Sequence, residues 1–201
     1  FATTWAAGFT AYSDPAVYDR TVLAALAAVR QGRDKGLDYR LIVKDRPSNR
    51  DFGAQRTREL VARSGFPAEA LVYDTAGAEG WITAADVVVS VDSNCSIEAV
   101  LAGVPAVNLY EPSGFLLGPS FAAEDGIVEV APEALGDALE RILEDKAERA
   151  RVLMIQRTRI GHFNGANDGK ACLRVARLMA EMERPPAPVF WPAWRSPPCW
   201  R

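Results

Sequence analysis

Cysteine and histidine are scarce: the chain has three cysteines and one histidine in 201 residues. Cys95, Cys172 and Cys199 have neither metal-ligand spacing nor an even count, so neither a zinc site nor a disulfide scaffold is expected. A reducing, cytoplasmic setting follows. The lone His162, beside Gly161 and Phe163, reads as structural rather than catalytic. An excess of charge is also lacking. A net charge of -3 and a pI near 5.3 give no general attraction to nucleic acid, so an anionic ligand must be held by basic groups placed locally. No apolar run approaches the roughly eighteen residues of a membrane-spanning helix, and no signal peptide is visible. Peripheral membrane association, through a partner or a segment outside this chain, stays open.

What is present is a hydrophobic content of 49%, enough for one sizeable core. Short apolar runs alternate with helical patterns along the chain, which predicts an α/β fold: a Rossmann-like doubly wound parallel sheet of about six strands in three layers. One domain is expected over residues 1–183. From Arg184 the sequence RPPAPVFWPAWRSPPCWR holds six prolines and three tryptophans without periodicity, so residues 184–201 are expected to be an extended tail.

The organising stretch is Ala85 to Pro112. Val87 to Val91 is a continuous apolar run, broken by Ser90, of the kind a strand buried on both faces requires. Asp92, Ser93 and Asn94 follow as turn and N-cap residues, and Ile97, Val100 and Leu101 recur at helical spacing. Gly103 ends that helix, Pro105 prevents its continuation, and Ala106 to Tyr110 returns as a strand. The helix start is suited to an anion, because exposed N–H groups and the helix dipole meet there and Ser93, Asn94 and Ser96 add donors without bulk. Glu98, off the apolar face, is placed to accept two hydrogen bonds from vicinal hydroxyls such as those of a ribose. From local pattern alone, simple capping by Ser and Asn and a surface charge favoured near a helix start account for the same residues slightly better.

The remaining elements follow in order. Phe1 to Trp5 reads as the first strand and Ala6 to Asp14 as the loop at its carboxyl end, where Thr3, Thr4, Gly8 and Thr10 approach a ligand crevice or merely form a turn. Pro15 to about Gln31 is a helix with Tyr18, Val22, Leu23, Leu26 and Val29 as its buried stripe. Tyr39 to Lys44 is a strand that delivers Lys44 and Arg46 to the same edge, where either can pair with a diphosphate. Asp51 to Arg63 is a polar helix and Leu71 to Tyr73 a short strand. Tyr73, Asp74 and Thr75 are candidates to lie beside a nucleotide base, and Trp81 reads as core. Glu111 to Asp125 is a long loop of the kind that is commonly functional, bringing Glu111, Ser113 and Gly114 towards a bound sugar, or else a contact surface. Ile127 to Val130 is the last strand. Helices over Pro132 to Asp145, with Leu135, Leu139, Ile142 and Leu143 inward, and over Lys146 to Arg159 come next. A three-glycine break over Gly161 to Lys170 precedes a final helix, Ala171 to Met182.

The order of apolar strand, Asp92-Ser93-Asn94-Cys95-Ser96-Ile97-Glu98-Ala99, Gly103-x-Pro105 and Asn108-Leu109-Tyr110 resembles the donor-binding half of GT-B glycosyltransferases. The resemblance covers Phe1 to about Met182. It implies that Glu98 holds the ribose of a nucleotide-sugar donor such as a UDP-sugar, and that the Ser93 to Ser96 turn approaches the diphosphate. It is nearest the branch of nucleotide-sugar 2-epimerases and of capsule and teichoic-acid polymer transferases, hence surface polysaccharide synthesis. Retaining members often carry a second Glu eight residues earlier, where this chain has Ser90. Polymer transferases often read Lys-x-His-Pro where this chain has Lys44-Asp45-Arg46-Pro47, which puts the acid-base role of that His in doubt here. The chain opens directly on a core strand, so the resemblance also implies a missing N-terminal acceptor-binding domain as partner, from which inverting relatives draw their base. In GT-B proteins the last helix commonly crosses back to that domain. The isolated half is expected to bind a donor without turnover, needing no cofactor or metal, in the cytoplasm or at the inner face of a membrane. A 2-epimerase, a CDP-alditol phosphotransferase half, a non-catalytic interaction domain of the same fold and an unrelated domain binding free phosphate are the alternatives.

Overall fold

The computed structural model describes residues 1–3, 15–45, 50–74, 77, 79–91, 93–110, 126–164, 166 and 168–182. Among them are five strands: β1 (Leu41–Lys44), β2 (Leu71–Asp74), β3 (Val88–Ser90), β4 (Ala106–Leu109) and β5 (Val128–Val130). The helices are α1 (Pro15–Asp34), α2 (Arg50–Ser64), α3 (Glu79–Ala84), α4 (Asn94–Ala102), α5 (Leu135–Glu144), α6 (Lys146–Asn164) and α7 (Ala171–Glu181). Two compact units divide the chain, Phe1–Gly165 and Ala166–Arg201, and the second contains α7.

In the first unit all strand pairs are parallel, but they form a two-stranded sheet, β1-β2, and a three-stranded sheet, β3-β4-β5, rather than one sheet of six. The expected first strand is the reason. Of Phe1 to Trp5, only Ala2 is paired among the described residues, bridging Lys44 on one side and Ser90 on the other. Its amide donates to Val89 O at 2.7 Å, while Thr3 N donates to Lys44 O at 3.0 Å and Lys44 N to Phe1 O at 2.8 Å. The spatial order is thus β2, β1, Ala2, β3, β4, β5, with the chain stepping outward in both directions from Ala2.

The alternation of each strand sorts the core into two clusters. Leu41, Val43, Val89, Val91, Val107 and Leu109 pack with Tyr18, Val22 and Leu26 of α1, Leu60 of α2 and Leu135, Leu139 and Ile142 of α5. Val88 and Ala106 join the other cluster, with Ile82 of α3, Ile97, Ala99 and Val100 of α4 and Ile160 of α6. Helices therefore cover both faces, which is why these strands read as apolar runs rather than alternating ones. Each fully buried Val or Leu stabilises this arrangement by about 1.5–3 kcal/mol.

Two stripes differ from expectation. Leu23 of α1 is 37% exposed, and Val17, Thr21, Ala25 and Ala28 are buried instead. On α4, Ile97 and Val100 are buried while Leu101 is 46% exposed. In both helices small or polar residues take the close contact and the larger Leu is left at the margin. The expected break over Gly161 to Lys170 begins later, since α6 runs on to Asn164. Gly103 caps α4 at φ 79°, where a Cβ is disfavoured, and its N–H bonds back to Ala99 O and Val100 O.

Candidate functional site

In an open α/β sheet the ligand crevice lies beyond the carboxyl ends of the strands, at the point where the order reverses. Here that point is the boundary between the Ala2 segment and β3, which pair with each other while the chain steps outward from them in opposite directions, to β1 and β2 on one side and to β4 and β5 on the other.

On the β3 side, Ser93 is the N-cap of α4, with φ -124° and ψ 142°, and its hydroxyl accepts from Cys95 N at 3.3 Å. The extended Ser93 turns the chain from strand to helix, and Ser96 N closes the first turn onto Ser93 O at 3.0 Å. No acidic residue sits in the first turn of α4, so the positive end of its dipole is not offset from within the helix. Asn94 is exposed there. Ser96 points inward: it is fully buried, and its hydroxyl pairs with that of Ser90 at 2.7 Å. That pair ties the helix start to the strand end. Glu98 is exposed between the buried Ile97 and Ala99, off the apolar face.

On the β1 and β2 side, Lys44 ends β1 half-buried, and its Nζ donates to Asp74 O at 3.4 Å. Asp74 O also accepts from Asp45 N at 3.1 Å, and the Asp74 carboxylate accepts from the Trp81 indole N–H at 2.5 Å. Trp81 is thus half-buried with its polar edge used, rather than wholly core. The Asp45 carboxylate, 2% exposed, accepts from the Thr3 hydroxyl and from the Tyr73 phenol, the latter at 2.5 Å. Behind it, Tyr18 Oη meets Thr57 Oγ1 at 3.0 Å and donates to Gly53 O at 3.2 Å. Burial, then the hydrogen bond to Asp45, pushes the Tyr73 phenol well above its ordinary value. Burial likewise raises Tyr18, with the Thr57 bond working in the opposite direction.

Among the sequence-derived candidates, Lys44 and Tyr73 are brought into one hydrogen-bonded group, joined to Thr3 through Asp45 and Asp74. Ser93, Asn94, Ser96 and Glu98 form a second group on α4. Gly8, Arg46, Ser113 and Gly114 lie outside the described residues. The residue that organises the first group, Asp45, was not singled out from the sequence. Its signal is weak: one carboxylate between two cations, where an exposed charge is the default reading. Ser90 was likewise legible only as an interruption of an apolar run.

Among the described residues the arrangement offers a helix start with no acidic residue in its first turn, Lys44 and a set of fixed hydroxyls around the reversal point. Among the described residues no cluster of His, Cys, Asp and Glu has the form of a metal site.

No family model and no curated protein sequence matches the chain. Solved structures do. The C-terminal domain of a glycosyl transferase group 1 family protein, LpcC of Francisella tularensis, is similar with a TM-score of 0.52 at 15% identity, over 75% of this chain and 80% of that one. Alr3699/HepE of Anabaena, in complex with UDP and glucose, is similar with a TM-score of 0.54 at 12% identity, over 90% of this chain and 48% of that one. This chain thus spans about half the length of the Anabaena protein. At these identities the likeness is one of fold, and the fold is that of the C-terminal domain of a group 1 glycosyl transferase.

Proposed function

We propose that this chain binds a nucleotide-sugar donor at the carboxyl edge of its strands, as half of a glycosyltransferase. The carrying observation is the meeting of the reversal point beside Ala2 with the start of α4, whose first turn has no acidic residue. That geometry favours a diphosphate. In this reading Ser93 and Asn94 approach the diphosphate, Lys44 and Arg46 offset its charge, and Glu98 holds the ribose. Ser96 acts from inside, through Ser90, to fix the turn. Tyr73 lies towards the base, while Gly8, Ser113 and Gly114 come from loops bordering the donor sugar. The residues' contribution to transfer is electrostatic: they stabilise negative charge developing on the departing nucleoside diphosphate. A general base comes from an N-terminal acceptor domain, and the product belongs to surface polysaccharide synthesis at the inner face of a membrane.

The Anabaena neighbour holds UDP and glucose, which makes UDP the first nucleotide to try. Calorimetric titration with UDP, CDP, GDP and inorganic phosphate, with the Glu98→Ala variant alongside, tests the reading. One nucleoside diphosphate is expected to bind better than phosphate, and loss of the two ribose hydrogen bonds is expected to weaken it by about 10–100-fold, on a scale of about 1.5–3 kcal/mol for bonds to a charged group. A folded chain that binds no nucleotide, or binds it equally well without Glu98, overturns the site assignment.

A further inference from the structure

We infer that Trp81 is a positioning residue: its indole N–H holds the Asp74 carboxylate and so keeps the charge of Lys44 available for an anion at the start of α4. Lys44 and Asp74 are register partners on β1 and β2. Partners in adjacent parallel strands stand about 5 Å apart with their side chains on the same face of the sheet, where opposite charges pair by default. Between these two residues that pair does not form. The carboxylate accepts from Trp81 Nε1 at 2.5 Å, while Lys44 Nζ donates to the Asp74 carbonyl oxygen at 3.4 Å. The lysine bond is long, and it shares its acceptor with Asp45 N at 3.1 Å. A phosphate oxygen offers the ammonium a stronger, charge-assisted partner.

The local fold supplies this contact. Asp74 and Trp81 are only seven positions apart, so α3 returns the indole to the strand end that the chain has just left. Lys44, Ala2 and Ser90 lie in one register row, and Ser90 meets Ser96 of α4, which puts Lys44 on the sheet face that α4 covers. Trp81 and Lys44 also line one small cavity together with Cys95, in the first turn of α4. The lysine and the helix start therefore border a common space, with the indole beside both. Residue type matters here. Indole is a donor that carries no charge and offers no acceptor. Lysine or arginine at the same place would hold the carboxylate equally well but would itself draw the anion away from α4.

This role rests on the donor-site reading for the identity of the anion, while its first readout needs no nucleotide. Trp81→Phe keeps an aromatic ring and loses the donor. In the full chain, the rate at which trace acetic anhydride acetylates Lys44, followed by mass spectrometry, is expected to fall about three- to tenfold as the carboxylate turns to the ammonium. Trp81→Phe with Asp74→Asn is expected to restore the rate, because no carboxylate remains to pair. In titrations, UDP affinity is expected to fall on the same scale in Trp81→Phe and to return in the double variant. Uridine, which has no phosphate, is expected to bind the unaltered chain and Trp81→Phe alike. A merely structural Trp81 would lower the thermal midpoint in both variants without that recovery. Lys44 acetylation that is unchanged or faster in Trp81→Phe, or that stays slow in the double variant, overturns the inference. UDP left unbound by the unaltered chain overturns the donor-site reading instead, and the acetylation rates still decide the role of Trp81.

Discussion

Replacing Gln156 by Leu tests how the three-stranded sheet is closed. Gln156 of α6 is 1% exposed and Ala106 is fully buried. The side-chain amide accepts from Ala106 N at 3.1 Å and donates to Ala106 O at 2.7 Å, completing the backbone of β4 at its start as a neighbouring strand would. Leu fills similar volume but leaves one buried N–H and one buried C=O without a partner, at about 1–3 kcal/mol each. Subtracting about 1 kcal/mol for the added apolar burial leaves a net loss of about 1–5 kcal/mol. In urea the unfolding midpoint should fall by about 1–2 M with little change in slope. Gln156→Glu should be at least as damaging at neutral pH, since a carboxylate oxygen then faces the Ala106 carbonyl, and should recover partly in acid as the carboxyl regains a donor. If Gln156→Leu shifts stability by less than about 0.5 kcal/mol, the amide does not serve as a strand surrogate and the reasoning fails.

Two further perturbations probe the polar group behind the site. Tyr18 is 1% exposed and its phenol is raised above the ordinary value, mainly by burial. The unfolded chain therefore loses this proton first: the stabilisation is complete below about pH 10 and is lost above it, at about 1.4 kcal/mol per pH unit. Tyr18→Phe should remove that part of the alkaline slope in urea midpoints measured across this range, and an unchanged slope would refute the assignment. Asp45→Asn exchanges charge-assisted hydrogen bonds from Thr3 and Tyr73 for neutral ones, a loss of about 1–2 kcal/mol. Because those bonds hold the edge that presents Lys44, nucleotide affinity should fall with stability. A lower thermal midpoint with unaltered affinity would make Asp45 structural only.

Much of the architecture is written locally. Pro15 opens α1, and Ser93 and Gly103 bracket α4 with the cap geometry their residue types favour. The apolar runs at Leu41, Val88 and Ala106 became parallel strands, as runs covered on both faces should. What failed was the count and grouping of strands. Phe1 to Thr3 has strand-like composition, yet it contributes a single bridging residue and leaves two small sheets. Pairing depends on how far two segments run alongside each other, which local composition does not encode.

The site divides in the same way. Residue type and order alone placed Ser93, Asn94 and Glu98 at the start of a helix following a buried strand, because caps, dipoles and helical spacing are short-range properties. Tertiary structure decided the rest. Asp45 is buried rather than exposed because Thr3, next to the bridging Ala2, and Tyr73 of β2 supply its hydrogen bonds. Ser96 turns inward because Ser90 is there to receive it. A polar group's environment is set by neighbours distant in sequence, and only the folded chain brings them within hydrogen-bonding reach.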